Sequence, residues 1–407
     1  MAQLYNPFTP SEIAANPEDF FGRFEELNLF TNSLPQGSVA IQGVVGIGKS
    51  SLLSRGLIKM EGFDSDTSAK YVIAVGDKEI KTVDQAARLL LESFVGIDEK
   101  HNKITFKLGP IFEAESSEIC RNFSEGRHLA VLKQVVEGQY IRELVGKNKL
   151  LLLGIDEADK CPAPLAMLVR SICTHTQHKG VKQVRFALAG VSPFFQKMVK
   201  EDPGVNRFFY RTIMLKPMSY EDANELIETK LQKVAEAAEK DKIEIEIDPA
   251  VIAKVVRLSG GHPHILQLLG SHLVRHESED PDGIIDSRDL VSSLRQICYE
   301  DRVGVYDSIV HTLELHGRLE ELETILSLAE RGFPTKIPKG RIYEVLGKEA
   351  IEWFVEHEVI APSDNSYYGL VDEFLRIRFI LSEADSVDSR SSRERQILRD
   401  VSGQLYL

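Results

Sequence analysis

At 407 residues the chain is longer than one ordinary hydrophobic core, so we expect two or three domains. Its composition, with 43% hydrophobic and 27% charged residues, is that of a soluble globular protein, and no run of sequence approaches the roughly 18 apolar residues that a membrane span needs. The formal net charge of −13 would repel phosphate backbones, so any nucleic-acid binding requires a local basic patch or a ring of subunits.

The cysteines and the first residues bear on the cellular compartment. Cys120, Cys161, Cys173 and Cys298 are scattered, with no C-x-x-C pair and no histidine spacing for zinc. The N-terminal sequence lacks the basic-then-apolar layout of a signal peptide. We therefore expect a cytoplasmic protein with reduced thiols and no membrane partner.

The chain begins with a polar segment, residues 1–19, whose three prolines predict an irregular arm. Phe20-Phe-Gly-Arg-Phe-Glu-Glu-Leu27 follows and starts an apolar-periodic helix that ends near Pro35. Taken alone, two aromatic residues and a Gly-Arg pair at this place indicate an ordinary helix start with a charged first turn.

The most specific motif in the chain is Gly43–Ser50, which fits G-x-x-x-x-G-K-[ST] and predicts a loop that binds nucleotide phosphates. A β-leaning run precedes it and helically spaced leucines follow it, as the motif requires. The glycines allow backbone N–H groups to turn toward phosphate oxygens at a helix N-terminus. Lys49 would reach the β- and γ-phosphates, and Ser50 would hold Mg²⁺. The predicted nucleotide-binding residues of this segment are Gly43, Val45, Gly46, Ile47, Gly48, Lys49, Ser50 and Ser51.

The phosphate loop changes the interpretation of the segment about twenty residues before it. At that distance Phe21, Gly22 and Arg23 are predicted to form a collar around the adenine ring. ATP or ADP with Mg²⁺ is the expected cofactor.

Lys70–Gly76 is predicted to be a second buried strand and Thr82–Phe94 a helix, and residues 127–146 have the pattern of an amphipathic helix. Between them, residues 96–125 are interpreted as an insertion. Within it, His101–Gly109 alternates enough for a strand or hairpin. No chemistry is assigned to the insertion.

Leu150-Leu-Leu-Leu-Gly-Ile-Asp-Glu157 is the second strong motif. An apolar run that ends in two acids is typical of a buried parallel strand whose carboxyl end delivers both carboxylates to a site. Asp156 would orient the Mg²⁺ shell, and Glu157 would position and polarise the attacking water. The alternative is a core strand that merely meets solvent at two acids.

Val184–Gly190 is predicted to be the next strand, after a helix over 163–175. Ser192 at its tip would sit between the two motif strands and sense the γ-phosphate, and it could equally serve as the N-cap of the helix after Pro193. The segment 202–211 then leads into a last strand, 212–217. Arg207 just ahead of it is predicted to reach a neighbouring subunit's nucleotide, with Arg211 as the other candidate. A surface arginine paired with a carboxylate is the alternative.

From Tyr220 onward the pattern is mainly helical. A helix over 220–240 is followed by Leu258-Ser-Gly-Gly-His-Pro-His264, where two glycines and a proline set a sharp helix entry. Short helices over 319–331, 340–346 and 348–357, with a strand–turn–strand over 359–370, predict a winged helix. A helix over 372–381 and a tail that is mobile or docks a partner complete the chain.

These motifs, in this order across about 20–380, resemble the AAA+ ATPases of the initiator-like and signal-transducing (STAND) branch, the Orc-like group with a C-terminal winged helix. Phe20–Glu25 looks like the Gly-Arg-x-x-Glu box, Asn206–Phe208 looks like the arginine-finger segment, and Ser192 falls at sensor 1. Gly261-His262-Pro263 looks like the Gly-x-Pro of the helical lid, in which His262 and Pro263 contact nucleotide. His264 stands where many ring-forming relatives have an arginine, and this favours a switch over a fast motor.

The resemblance implies an α/β, P-loop AAA+ three-layer sandwich with a parallel sheet, followed by an all-α lid and a winged helix. The expected domains are a core over 1–218, a lid over 219–300, a winged-helix domain over 301–382 and a tail over 383–407. The expected activity is slow ATP hydrolysis to ADP and phosphate. ATPases of mobile elements, phage defence and replication control share this layout.

Two functions remain open. One is an Mg-ATP-dependent switch that self-assembles as a homo-oligomer and recruits an effector protein through the winged helix or the tail, or loads onto DNA. The other is a winged-helix DNA-binding protein, like an initiator or transposition regulator, with a regulatory ATPase. Between Lys336 and Glu358, four basic and five acidic residues leave a net charge of −1, so we favour protein binding by this domain.

Overall fold

The computed structural model describes residues 4–62, 69–98, 103–106, 112–115, 117–137, 150–279, 281–301, 305–363, 365–382 and 397. The chain divides into two compact units. Ile13–Lys216 forms one, called the α/β unit below, and Met1–Glu12 with Pro217–Leu407 forms the other, called the helical unit. In the described part of the chain, no helix is long and apolar enough to cross a membrane.

The α/β unit is built on a sheet of five parallel strands in the order β2-β6-β7-β1-β8. These strands are β1 (Ser38–Gly43), β2 (Ala69–Val75), β6 (Leu150–Asp156), β7 (Val184–Val191) and β8 (Phe209–Met214). The helices are α1 (Phe24–Ser33), α2 (Lys49–Glu61), α3 (Val83–Phe94), α4 (Ser117–Ser124), α5 (His128–Val135), α6 (Pro162–His178) and α7 (Phe194–Glu201). Strand β6, predicted as a fully buried strand, lies inside the sheet between β2 and β7, and it is apolar because both of its faces are covered.

Alternate residues of the strands point to opposite faces of the sheet. Leu151 and Leu153 of β6 pack with α3, α5 and α6, whereas Leu150 and Leu152 pack with α1 and α2. The unit is therefore a three-layer α/β/α sandwich, and the predicted fold class is confirmed for it.

Two details differ from the sequence prediction and a third agrees with it. The helix predicted over 127–146 covers His128–Val135, and residues 138–149 lie outside the described residues. The region 96–125 contains a small antiparallel sheet of β3 (Val95–Asp98), β4 (Lys103–Phe106) and β5 (Phe112–Glu115), so the strand predicted within His101–Gly109 is confirmed. Strand β8 begins at Phe209 rather than at 212, so Arg211 lies inside the last strand and not ahead of it.

The helical unit contains eight α-helices and short strands among its described residues. The helices are α8 (Tyr220–Lys240), α9 (Pro249–Ser259), α10 (Pro263–Glu279), α11 (Ser287–Arg295), α12 (Val305–Leu315), α13 (Leu319–Ser327), α14 (Lys339–Glu356) and α15 (Phe374–Ser382). The strands are β9 (Glu246–Ile247), β10 (Ile284–Ile285), β11 (Ile337–Pro338), β12 (Ile360–Pro362) and β13 (Tyr367–Leu370). Helix α14 is broken at Gly347, which has φ 75° and ψ 171°, so it consists of two helices as predicted. The predicted tail, apart from residue 397, lies outside the described residues.

The first part of the N-terminal arm is docked within the helical unit. Phe8 is buried against Gly270 of α10, where an added Cβ would lie 2.2 Å from the ring. Lys230 of α8, fully buried, donates to the carbonyl of Pro7 at 2.7 Å. The Nδ1 atom of His264 lies 3.0 Å from the Pro10 carbonyl oxygen. The arm is thus held by long-range contacts and is not free.

Near the C-terminus, β11, β13 and β12 form an antiparallel sheet in that order. The chain order is α13, β11, the two halves of α14, then β12 and β13. Behind the sheet, buried Glu373 accepts from the backbone N–H of Thr335 at 2.7 Å and from its hydroxyl. Arg376 donates to the carbonyls of Gly332 and Glu330, so this corner is fixed by a buried polar cluster.

Candidate functional site

The loop between β1 and α2 has the backbone that the glycine motif predicts. Gly46 and Gly48 have φ values of 74° and 99°, a left-handed conformation that favours glycine. Gly43 is required for another reason, since an added Cβ would lie 2.8 Å from the Ile47 side chain. The Nζ atom of Lys49 donates to the Val44 carbonyl at 2.6 Å, which places the ammonium group over the loop. Helix α2 begins at Lys49, so its N-terminus faces the same loop.

Arg23 is hydrogen-bonded to the phosphate loop. It is buried, and its guanidinium donates to the carbonyls of Ile47 and Lys216 and forms an ion pair with Glu26 at 3.0 Å. The sequence predicted Phe21, Gly22 and Arg23 as a collar around adenine. The guanidinium hydrogen bonds connect the segment before α1 to the phosphate loop, and the collar stays a prediction. Phe21 and Gly22 are half-buried, and Gly22 has φ 60°.

The sheet order brings the second and third motifs next to the loop. Strand β7 lies between β6 and β1, with Val191 in register with Gly43. The Ser192 N–H lies 3.4 Å from the Gly43 carbonyl oxygen. Ser192 is therefore between the phosphate loop and the acids of β6, as the sequence predicted. Ser192 is not the N-cap of α7, because Pro193 occupies that position.

Asp156 and Glu157 end β6. One oxygen of Asp156 accepts the Glu157 N–H at 2.9 Å, and Glu157 is exposed. Glu157 has φ 48° and ψ 37°, a left-handed backbone that is uncommon for a residue with a side chain. The chain thus turns sharply at Glu157, and a short 3-10 turn, Ala158–Lys160, follows.

Sequence reasoning missed Asp159, which joins β6 to β7. Its Oδ1 atom accepts the backbone N–H of Val191 at 2.9 Å, one residue before Ser192. Gly190 makes this approach possible, since an added Cβ would lie 2.9 Å from the Asp159 nitrogen. An acid two residues after Glu157 was the only signal in the sequence for Asp159.

Cys161 follows the same turn. Burial raises the pKa of its thiol to about 11, so this cysteine is no thiolate nucleophile.

The donor set at this edge of the sheet fits Mg²⁺ with nucleotide phosphates. Ser50 and Asp156 supply hard oxygen donors, the ligand type that Mg²⁺ prefers. Left-handed Gly46 and Gly48 give the loop the backbone of a phosphate cradle, and Lys49 adds a cation. The Ser51 hydroxyl on α2 accepts a hydrogen bond from the Ala14 N–H at 3.1 Å, so it binds the backbone of the segment before α1.

The sequence matches the family model described as Novel STAND NTPase 1 over residues 8–277, about two thirds of the chain. The chain belongs to this STAND NTPase family. The match includes the phosphate loop, the Asp156-Glu157 pair, Ser192 and the His262-Pro263 turn. No curated protein matches the chain.

Solved structures similar to this STAND NTPase include three archaeal proteins. The Walker-type ATPase PABY2304 of Pyrococcus abyssi is 16% identical with a TM-score of 0.56, over 91% of this chain and 98% of that one. The Aeropyrum pernix ORC2 protein, in ADPNP and ADP complexes, is 11% identical with a TM-score of 0.54, over 100% of both chains. Cdc6p from Pyrobaculum aerophilum is 13% identical with a TM-score of 0.51, over 99% of this chain and 100% of that one. At these identities the likeness shows the fold alone.

The two candidate arginine fingers of this STAND NTPase are both exposed. Arg207 lies in the 3-10 turn Pro203–Phe208, where its guanidinium is 4.6 Å from the Phe208 ring centroid and donates to the Thr174 hydroxyl at 3.3 Å. Arg211 lies in β8, 5.8 Å from the Tyr210 ring centroid. Arg207 contacts a hydroxyl and an aromatic ring in the described part of the chain, and not the carboxylate that the alternative reading required.

In the helical unit, Gly261 sits in a tight turn before α10. The Met218 N–H donates to its carbonyl at 2.8 Å, and an added Cβ would lie 2.4 Å from the Met218 carbonyl oxygen. His262 is buried and Pro263 begins α10. Burial lowers the pKa of His264, so at neutral pH this residue carries no positive charge.

Proposed function

We propose that this STAND NTPase is an Mg-ATP-dependent molecular switch, which hydrolyses ATP slowly and whose nucleotide state controls self-assembly and partner recruitment. One observation carries the proposal. The phosphate loop, Ser192 and the Asp156-Glu157 pair end three adjacent parallel strands, β1, β7 and β6. The carboxyl edge of a parallel sheet is where such folds bind ligands.

The roles follow from the chemistry of each group. The backbone of Gly43–Gly48 and the Lys49 ammonium would bind the phosphates, with Ser50 and Asp156 holding Mg²⁺. The ion supplies charge neutralisation at the phosphate oxygens. Glu157 would accept a proton from the attacking water, and Ser192 would orient the γ-phosphate. Nucleotide contacts by Phe21, Gly22, Arg23, Val45, Ile47, Ser51, His262 and Pro263 are part of the same proposal.

Self-assembly would place an exposed arginine of one copy against the nucleotide of the next. Arg207 is the proposed finger because it lies exposed in a turn, whereas Arg211 belongs to a strand. A guanidinium supplied in this way stabilises the charge of the transition state. Its loss should therefore reduce turnover and assembly together.

The C-terminal part of the helical unit is proposed to be a winged helix that binds a partner protein. The support is its chain order, helix–strand–two helices–strand–strand, with β13 between β11 and β12. Helix α14 presents exposed Glu349, Glu352 and Glu356, which disfavour contact with phosphates.

Duplex DNA remains a second candidate partner because of a separate surface. The ammonium groups of Lys336 and Lys339 lie 6.0 and 5.1 Å from the ring centroids of Tyr367 and Tyr368. Cations interleaved with aromatic rings are typical of nucleic-acid contacts. If this surface binds DNA, affinity should fall steeply as salt rises and Lys336→Ala should weaken it; salt-independent or absent binding would remove this candidate.

The enzymatic part is tested with two variants. Lys49→Ala should abolish binding of a fluorescent ATP analogue, because the loop loses its cation. Glu157→Gln should bind MgATP as the wild type does while phosphate release falls at least about 100-fold, the usual scale for a missing general base. Hydrolysis by Glu157→Gln at the wild-type rate would remove Glu157 from the mechanism.

A further inference from the structure

The backbone of Glu157 is held in its unusual conformation by its neighbours. Glu157 is one of three described non-glycine residues with positive φ, and it is the one that sits at the proposed reaction centre. Its N–H donates to Asp156, and its carbonyl accepts the Lys160 N–H at 3.0 Å. A left-handed residue at such a place persists only where the surroundings enforce it, and outliers of this kind cluster at functional sites.

The end of β2, a strand that carries no motif, lies next to the Glu157 backbone. Val75 is in register with Asp156, and the N–H of the next residue, Gly76, donates to the Asp156 carbonyl at 2.8 Å. A Cβ added to Gly76 would lie 2.4 Å from the Glu157 carbonyl oxygen and 3.1 Å from its carbonyl carbon. These are main-chain atoms, and the carbonyl oxygen also accepts the Lys160 N–H, so they cannot yield as the tip of a flexible side chain does.

We propose that Gly76 is a positioning residue for Glu157. Its missing side chain leaves room for the Glu157 carbonyl, so the chain can turn left-handed there and direct the carboxylate out of the end of β6. Any β-carbon at position 76 pushes the Glu157 backbone out of this turn. The inference rests on the proposed role of Glu157 in hydrolysis, and it adds β2 to the strands that build the site.

The first test compares two glycine substitutions on the same pair of strands. Gly76→Ala should lower kcat about 100-fold, the scale of an ångström-sized misplacement of a catalytic group, while the Kd for MgATP changes less than about threefold. Gly154→Ala is the matched control. Its added Cβ would lie 2.9 Å from Leu57 and from the Val72 carbonyl oxygen, so it strains β2 and β6 without touching Glu157. It should lower the melting temperature and leave kcat within about threefold of the wild type.

A second measurement does not depend on activity. Glycine at position 157 tolerates many backbone conformations, so Glu157→Gly should restore much of the stability that Gly76→Ala loses. A double-mutant cycle of melting temperatures should therefore show strong coupling between positions 76 and 157 and none between 154 and 157. If Gly76→Ala does not fold, recovery of folded protein by the added Glu157→Gly supports the proposal, and no recovery overturns it.

The outcomes separate this inference from the proposed function. If Glu157→Gln hydrolyses ATP at the wild-type rate, the proposed function fails whatever Gly76 does. If Glu157→Gln is inactive but Gly76→Ala keeps its kcat, or if Gly154→Ala loses kcat equally, the positioning role of Gly76 is overturned alone.

Discussion

The buried carboxyl of Glu373 should make the helical unit less stable as pH rises toward neutrality. Burial raises the pKa of Glu373 to about 7 from its ordinary 4.5, and the nearby Asp372 carboxyl adds to this, although the Thr335 hydrogen bonds and Arg376 oppose it. Below pH 4.5 the group is protonated in folded and unfolded chains alike. Between 4.5 and about 7 the unfolded chain ionises while the folded chain keeps its proton, so unfolding is favoured.

The size of the effect follows from the pKa difference. Each pH unit is worth about 1.4 kcal/mol, so the full window corresponds to about 3 kcal/mol for Glu373. Between pH 6 and 7.5 the expected fall in the free energy of unfolding is about 1 kcal/mol. Burial raises the pKa of Asp372 to about 7 as well, so it contributes a fall of the same sign.

The assay is urea unfolding followed by tryptophan fluorescence, because Trp353, the one tryptophan of the chain, lies in α14 of the same unit. Glu373→Gln keeps an acceptor for the Thr335 N–H but cannot ionise, so the fall between pH 6 and 7.5 should shrink by about 1 kcal/mol. Glu356→Gln, at an exposed position, is the control and should follow the wild type. An unchanged pH dependence in Glu373→Gln would mean that ionisation of Glu373 does not destabilise the folded helical unit.

Two further predictions concern buried contacts. Phe8→Ala should release the arm from α10 and lower the free energy of unfolding by about 3 kcal/mol, the scale for truncating a buried phenylalanine. The backbone amides of residues 4–10 should then exchange hydrogen fast. Tyr5→Ala, at a side chain that is 58% exposed, should change neither quantity. Slow exchange in Phe8→Ala would contradict the docking. Arg23→Gln should raise the Kd for MgATP about tenfold, because the charge-assisted hydrogen bond to the Ile47 carbonyl of the loop is lost. Exposed Arg88→Gln is the control. Equal affinities of both variants would contradict a supporting role for Arg23.

Local motifs were predictable because their signal lies in consecutive residues. Gly46 and Gly48 need a left-handed backbone, and β6 needs apolar residues on both faces, so both could be placed from the sequence. Ser192 between the two motif strands followed from the order in which such sheets are built.

Features that depend on distant residues could not be predicted. Lys230 belongs to a helix rich in Glu, Lys and Ala, a composition that indicates a solvated helix, yet it is fully buried beneath Pro7. Gly76 lies outside every motif, and only the pairing of β2 with β6 brings it to Glu157. Arg211 is predicted to precede the last strand, whereas the structure has it inside β8, an edge strand whose residues 210–212 are exposed and lack the alternation of a half-buried strand.

Nucleotide-controlled assembly can be measured as the mass of Glu157→Gln in solution. Light scattering on a sizing column, with ADP and then with Mg-ATP, should show a larger assembly only with Mg-ATP, and Arg207→Ala in the same background should abolish it. A mass that is the same with both nucleotides would contradict the switch and leave Arg207 as a surface arginine.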